Sequence, residues 1–268
     1  FCSGACFIFF TAEGLSPFLA VFWLFFGVTG ALVCFALFSA DFFSGVFSQN
    51  KIEQNLVTIN FNHNNSNVLG YSTASLVREL PMPSISAQVA LVIDKNNDKV
   101  LYEVNSNQEV APASTTKLMT ALVSIDLYKE DESLEVTAPC TVVEGSKIGL
   151  PIGKSYKVKD LLKALLVQSS ADAACVLASS KVSNKEFVNF MNEKAKAFGM
   201  NNTNFTNAIG LDGVNGSHHS TASDLYKLSK KAVSYKDISE MVKIKNTKIK
   251  DSNDKSEINL VKKDSDFR

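Results

Sequence analysis

The strongest constraint on this chain is the run from 17 to 40, twenty-four residues without a charged side chain. As a helix it would extend about 36 Å, against a hydrocarbon core of about 30 Å. It therefore predicts a membrane-crossing helix. A cleaved secretory signal would need a basic start and a small-residue cleavage site; Phe38-Ser39-Ala40 is a poor version of the latter, so a retained anchor is expected. No Lys or Arg precedes the run and Lys51 is the first to follow it, so charge bias does not set its orientation. The chain starts with Phe rather than Met, which suggests a fragment, and apolar residues 7–10 read as the tail of an earlier span.

Charge and aromatic content divide the chain. Residues 1–50 hold 13 of the 19 Phe and only Glu13 and Asp41 as charges, whereas the remainder carries the other 52 charged residues. With 27 basic and 27 acidic side chains the total is zero, which gives no bulk attraction to nucleic acid. Three parts are expected: an apolar segment 1–45, a tether 46–83 rich in Asn and Ser (Asn60, Asn62, Asn64, Asn65, Asn67), and a catalytic domain 84–268. None of the five Cys forms a C-x-x-C pair or a zinc spacing, so they read as small apolar residues.

Within the third part, residues 88–94 and 99–104 are β-rich runs joined by Lys95-Asn-Asn-Asp98, a hairpin pattern. Residues 115–128 are apolar almost all round, as in a helix enclosed by a domain. Val158, Leu161, Leu162, Leu165 and Leu166 share one face of a second helix that stops near Gln168, and Asp172 is placed to cap the next. Thr221-x-x-Asp224 is a capping-box variant, and residues 241–250 with 257–261 read as a second hairpin. Strands, then helices, then strands predict an α+β fold: an antiparallel sheet flanked by helices, with a helical subdomain.

The sharpest chemical signal is Ala113-Ser-Thr-Thr-Lys117. On a helix a Lys three residues after a Ser stands above it, so its amine can reach the hydroxyl. A Ser is a weak nucleophile until a base takes its proton, and a Lys is such a base only when its pKa is lowered. Burial beside Leu118 and Met119, and the positive end of the helix dipole, both disfavour the ammonium. Ser48-x-x-Lys51 and Ser252-x-x-Lys255 show the same spacing, but only Ser114 heads an apolar helix. Helix capping by Ser114 is the competing explanation.

The stretch from about Ser86 to Tyr226 resembles the serine-type D-alanyl-D-alanine carboxypeptidases, the low-molecular-mass penicillin-binding proteins. The matching pieces stand in order: Ala111-Pro-Ala-Ser-Thr-Thr-Lys117, Glu144-Gly-Ser-Lys-Ile-Gly-Leu150, Leu165-Leu-Val-Gln-Ser169, Asp172-Ala-Ala174, Gly199-Met-Asn-Asn-Thr203, Gly210-Leu-Asp212 and Ser220-Thr-Ala222. The resemblance implies acyl transfer: Ser114 attacks the carbonyl between the two terminal D-alanines of a peptidoglycan stem peptide, Lys117 takes its proton, and water releases the acyl-enzyme. It implies no metal and no cofactor, β-lactam antibiotics as covalent inhibitors, and a membrane-anchored domain on the extracytoplasmic face.

Two departures stand out. Where the family has Ser-x-Asn, this chain has Ser169-Ser170-Ala171, which keeps the hydroxyl and loses the amide; a one-residue shift would offer Ser170-Ala171-Asp172 instead. Ser169 is preferred as proton relay, with Ser170, Ala171 and Asp172 lining the substrate. Ser169 and Ser170 as mere helix terminators are the alternative. The family's Lys-Thr-Gly is absent before Arg268, so truncation of the C-terminal strands and weak activity are expected. A catalytically impaired, membrane-tethered wall-binding module is the rival reading. A β-lactamase is demoted, because residues 199–212 carry no candidate deacylating carboxylate before Asp212.

His218-His219 lacks a carboxylate or Cys at ligand spacing and is expected in a loop. Eleven Lys between 227 and 263 alternate with Asp and Glu, as on a solvated face rather than a nucleic-acid surface.

Overall fold

The computed structural model describes residues 5–10, 34–38 and 85–262. Strands β1 (Ala5–Phe10), β2 (Cys34–Phe38), β3 (Val89–Asp94) and β4 (Lys99–Val104) form one sheet in the order β2-β1-β3-β4. The β3–β4 hairpin is antiparallel, as expected, but β1 runs parallel to both β2 and β3. The sheet is therefore mixed; the 78 residues between Phe10 and Val89 give ample length for a parallel connection. Within the run 17–40, Cys34–Phe38 is a strand rather than part of a helix. Aromatic side chains suit a pleated strand as well as an apolar helix, which is why the pattern misleads there. The rest of that run and the tether lie outside the described residues. Among the described residues no helix is long and apolar enough to cross a membrane.

The helical block is built around α1 (Thr116–Leu127), which is buried on all sides through Ser124 and continues from a 3-10 turn at Ala113–Thr115. Four further helices pack on it: α3 (Val158–Gln168), α4 (Ala171–Ser179), α5 (Asn184–Ala197) and α6 (Ala222–Ser234). Val158, Leu161, Leu162, Leu165 and Leu166 are all buried, so the i, i+3, i+4 face of α3 is its core face. Helix α5 starts with a complete capping box, Ser183 with Glu186. At α6 only half of the expected box forms. The Thr221 hydroxyl accepts from Asp224 N at 3.1 Å, while the Asp224 carboxylate turns to Asn202 N (2.8 Å) and the Thr203 hydroxyl (3.0 Å).

Short strands β5 (Ser133–Glu135) and β6 (Ser155–Lys157) pair around α2 (Ala138–Thr141). Beyond α7 (Lys236–Met241), β7 (Asn246–Lys250) and β8 (Glu257–Val261) form a separate antiparallel pair that packs on α3. The second hairpin thus begins later than expected, because Met241 and Val242 close a buried helix end instead of opening a strand. The cysteines also need correction. Cys140 and Cys175 form a disulfide that fastens α2 to α4. Nothing local announces a pairing 35 residues apart; it arises because α2 folds back on α4.

Candidate active site

The turn into α1 sets up the site. After Pro112, Ala113 adopts φ +46°, a left-handed conformation that a non-glycine residue rarely takes. The Thr115 amide and hydroxyl both bond back to Pro112 O, at 3.1 and 2.5 Å, and lock the turn. Ser114 is thereby held at the head of α1 and is buried. Its side chain makes no capping bond, which removes helix capping as its explanation.

One helical turn on, Lys117 Nζ lies 2.9 Å from Ser114 Oγ. The amine also donates to Ile209 O at 2.7 Å, and only 2% of Lys117 is exposed. Burial brings its pKa down from the usual lysine range to about 7. The spacing-based expectation that a lowered amine meets the hydroxyl is met in geometry.

The Ile209 carbonyl belongs to a turn pressed against the site. Gly210 sits at φ +85°, and a Cβ there would come within 2.6 Å of Ala113 C and 3.1 Å of Ser114 N. Glycine is required twice over, for its backbone conformation and for the close approach. Beside the same loop, His218 is buried with Nε2 2.9 Å from the Thr116 hydroxyl and Nδ1 3.0 Å from Thr206 N. Since Nδ1 accepts the Thr206 amide, the ring proton is on Nε2 and donates to Thr116. Burial, then the neighbouring His219, lowers its pKa to about 4, so the ring is neutral. Sequence reasoning placed His218 in a loop and missed this bond; its adjacent histidine, facing Gly216 O at 3.0 Å, disguised it.

Ser169 closes α3 in the left-handed conformation, φ +54° and ψ +40°. It is 7% exposed, and its hydroxyl has no hydrogen-bond partner among the described residues. No hydrogen bond therefore joins it to Ser114 or Lys117. Ser170, not Asp172, caps α4: its oxygen accepts from Ala173 N at 3.1 Å, and its hydroxyl donates to the Asp172 carboxylate. Asp172 is fully buried and accepts from Gly149 N (2.9 Å), Leu150 N (3.0 Å) and Ile148 N (3.3 Å). Ala171 N donates to Ser146 O at 2.6 Å. Of the three residues expected to line the substrate, Ser170 and Asp172 have their polar atoms engaged inside the protein, and Ala171 presents a buried methyl group. Together they strap the loop 144–150 to the turn that carries Ser169.

A strained turn, a serine at the head of a buried helix and a lysine amine of lowered pKa beside it are the arrangement that serine acyl-transferring enzymes with lysine as base require. Residues 76–265 match the family model described as D-alanyl-D-alanine carboxypeptidase, and the chain belongs to that family. It is 33% identical over 175 residues to the D-alanyl-D-alanine carboxypeptidase DacF of Bacillus subtilis, a match covering 63% of this chain and 44% of that protein. The D-alanyl-D-alanine endopeptidase of Escherichia coli is 37% identical over 149 residues, covering 54% and 47%. The crystal structure of the D-alanyl-D-alanine carboxypeptidase of Mycobacterium tuberculosis superposes with a TM-score of 0.65 at 31% identity, over 70% of each chain. The chain spans about half the length of the curated relatives it matches.

Proposed function

We propose that this chain carries the acyl-transfer site of a serine-type D-alanyl-D-alanine carboxypeptidase that trims peptidoglycan stem peptides. The observation that carries the reading is the 2.9 Å contact between Ser114 Oγ and a buried Lys117 amine with a pKa near 7. Neutral Lys117 takes the hydroxyl proton as Ser114 Oγ bonds to the carbonyl carbon between the two terminal D-alanines. The carbonyl electron pair moves onto oxygen, where the Ser114 N–H is one donor for the oxyanion. Collapse breaks the C–N bond, and the proton reaches the departing D-Ala amine through Ser169. Water then adds to the ester and frees Ser114 with the shortened peptide. β-Lactams enter the same first step and remain as the acyl-enzyme.

The location follows from different observations. The Cys140–Cys175 disulfide belongs to an oxidising compartment, which supports an extracytoplasmic domain. Attachment to the membrane, if by the charge-free run 17–40, falls to its residues before the strand Cys34–Phe38. Similarity to endopeptidases favours one alternative outcome, cleavage within cross-linked peptides by the same serine.

A fluorescent penicillin tests the first step, and release of D-Ala from a D-Ala-D-Ala peptide tests the whole cycle. Label is expected at Ser114 and lost in Ser114→Ala. Equal labelling of that variant overturns the assignment. Labelling without D-Ala release, but with cleavage of a cross-linked dimer, selects the endopeptidase outcome; labelling with neither selects the impaired wall-binding module.

A further inference from the structure

The turn that supplies the Ile209 carbonyl is folded around a single side chain. Asn207 Oδ1 accepts from three successive amides, Gly210 N at 2.7 Å, Leu211 N at 3.1 Å and Ile209 N at 3.2 Å. Its Nδ2 donates to Leu211 O at 2.8 Å and to the Thr206 hydroxyl at 3.3 Å. Amides converging inward on one oxygen set the direction of the carbonyls between them, the Asx-turn principle extended over a loop. Two of those carbonyls meet α1 one turn apart: Ala208 O accepts from the Thr120 hydroxyl at 2.6 Å, and Ile209 O from Lys117 Nζ at 2.7 Å. Lys117 and Thr120 are i, i+3 neighbours, so one helix face grips two consecutive carbonyls.

A carbonyl oxygen only accepts, so Ile209 O must take an N–H of the amine. A neutral amine has its lone pair on a different tetrahedral corner from that N–H. We propose that Asn207 is a positioning residue for the Ser114–Lys117 pair: by folding the 207–211 turn it fixes the Ile209 carbonyl that orients the Lys117 amine and keeps water from it. This deepens the carboxypeptidase reading and rests on it for the chemical step, though not for the state of the lysine. Asn192 gives a built-in comparison. It binds the same loop just upstream, with Phe205 N donating to its Oδ1 and its Nδ2 donating to Phe205 O, both at 2.8 Å, but it hydrogen-bonds to neither Ile209 nor Lys117.

Several charged and titratable groups lie on the surrounding elements. His218 is bonded to Thr116 and its Nδ1 lies 3.5 Å from Asn207 Nδ2, Lys185 lines the same cavity as Asn207 and Ile209, and Asp172 is bonded to the 148–150 backbone. Asp160 is paired with Lys163, Asp126 with Lys194, and Asp224 with Lys227. Burial is what lowers the Lys117 pKa, so opening the turn hydrates the amine and moves its titration toward the ordinary lysine range.

The test uses the full 268-residue chain carrying lysine labelled with carbon-13 at Cε. Lys117 is titrated by NMR, its signal identified from Lys117→Met, and the rate of acylation by a fluorescent penicillin is followed against pH. In Asn207→Ala both midpoints are expected to rise by a pH unit or more, which at pH 7 leaves about fivefold less neutral amine. Asn207→Ser, whose hydroxyl makes the same kind of turn more weakly, gives an intermediate shift, and Asn192→Ala gives none. The proposal is overturned if Asn207→Ala, or Asn207→Ser should the alanine variant not fold, titrates like the parent. It is also overturned if Asn192→Ala shifts Lys117 as far. A parent chain that takes no penicillin label counts against the proposed function, while the NMR titration still decides the role of Asn207.

Discussion

His218 Nε2 and the Thr116 hydroxyl lie 2.9 Å apart, across 102 residues of chain, and tie the loop after α5 to the first residue of α1. The second bond of the ring, in which Nδ1 accepts from Thr206 N, needs a neutral imidazole, because a protonated Nδ1 can only donate. The folded pKa, about 4, is below the usual 6.5, so between those values the unfolded chain binds a proton that the native protein refuses. Stability is then fully retained above pH 6.5, falls as pH drops toward 4, and levels below that. The loss at pH 4 is on the order of 3 kcal/mol. Urea unfolding at pH 7 and pH 4.5 checks this; in His218→Gln the histidine part of the acid loss is expected to vanish.

At Lys117 a depressed pKa of the same sign sets stability against chemistry. Its folded pKa of about 7 is depressed from 10.5, so the unfolded state binds more protons across that window and stability rises with pH through it. At neutral pH the burial opposes folding by a few kcal/mol. Lys117→Met is expected to raise the melting temperature at pH 7 while lowering acylation by about 10²-fold or more. Lys117→Arg removes the base without relieving the buried charge, and is expected to lose both stability and acylation. In the parent chain, acylation should climb through pH 7 and reach a plateau.

Gly210→Ala places a methyl group against the Ala113 carbonyl in a backbone conformation that disfavours it. The strained Ala113–Ser114 peptide is the part that must give way. Roughly 1–3 kcal/mol of stability and most of the acylation rate are expected to go, measured by melting and by penicillin labelling on the same preparation.

Asp172→Asn keeps the shape and halves the accepting capacity of a side chain that receives four backbone amides and one hydroxyl. An amide has one acceptor oxygen, so a buried N–H of the 148–150 backbone is left unpaired at about 1–3 kcal/mol. Faster proteolysis within residues 144–150, at unchanged α-helix content, is the expected signature.

Breaking the Cys140–Cys175 link releases α2 and the loop after it from α4. Closing a 35-residue loop stabilises by roughly 3–4 kcal/mol in the chain-entropy account. Cys140→Ala with Cys175→Ala should lower the melting temperature, and reducing agent should then have no further effect on that variant.

What the sequence made legible was local. The buried faces of α1 and α3 follow from spacing within a dozen residues, and so does the Ser114–Lys117 pair, whose partners are three residues apart. The parts it hid join distant segments: Lys117 with Ile209 over 92 residues, Thr116 with His218 over 102, and Ser155 N with the Asp251 carboxylate over 96. No periodicity encodes such contacts. Gly210-Leu-Asp212 was readable as a family match, but the reason for its glycine lies in the Ala113 backbone it presses against. Asp172 misled because a carboxylate two residues into a helix looks like a cap or a ligand, when its role is to collect the amides of another loop.

The Ser169 hydroxyl, enclosed and without a hydrogen-bond partner among the described residues, gives the end of α3 a further meaning. Folding leaves that oxygen short of a bond, so a polar group that reaches it displaces no existing contact and relieves a cost of about 1–3 kcal/mol. Under the proposed relay that group is the departing amine.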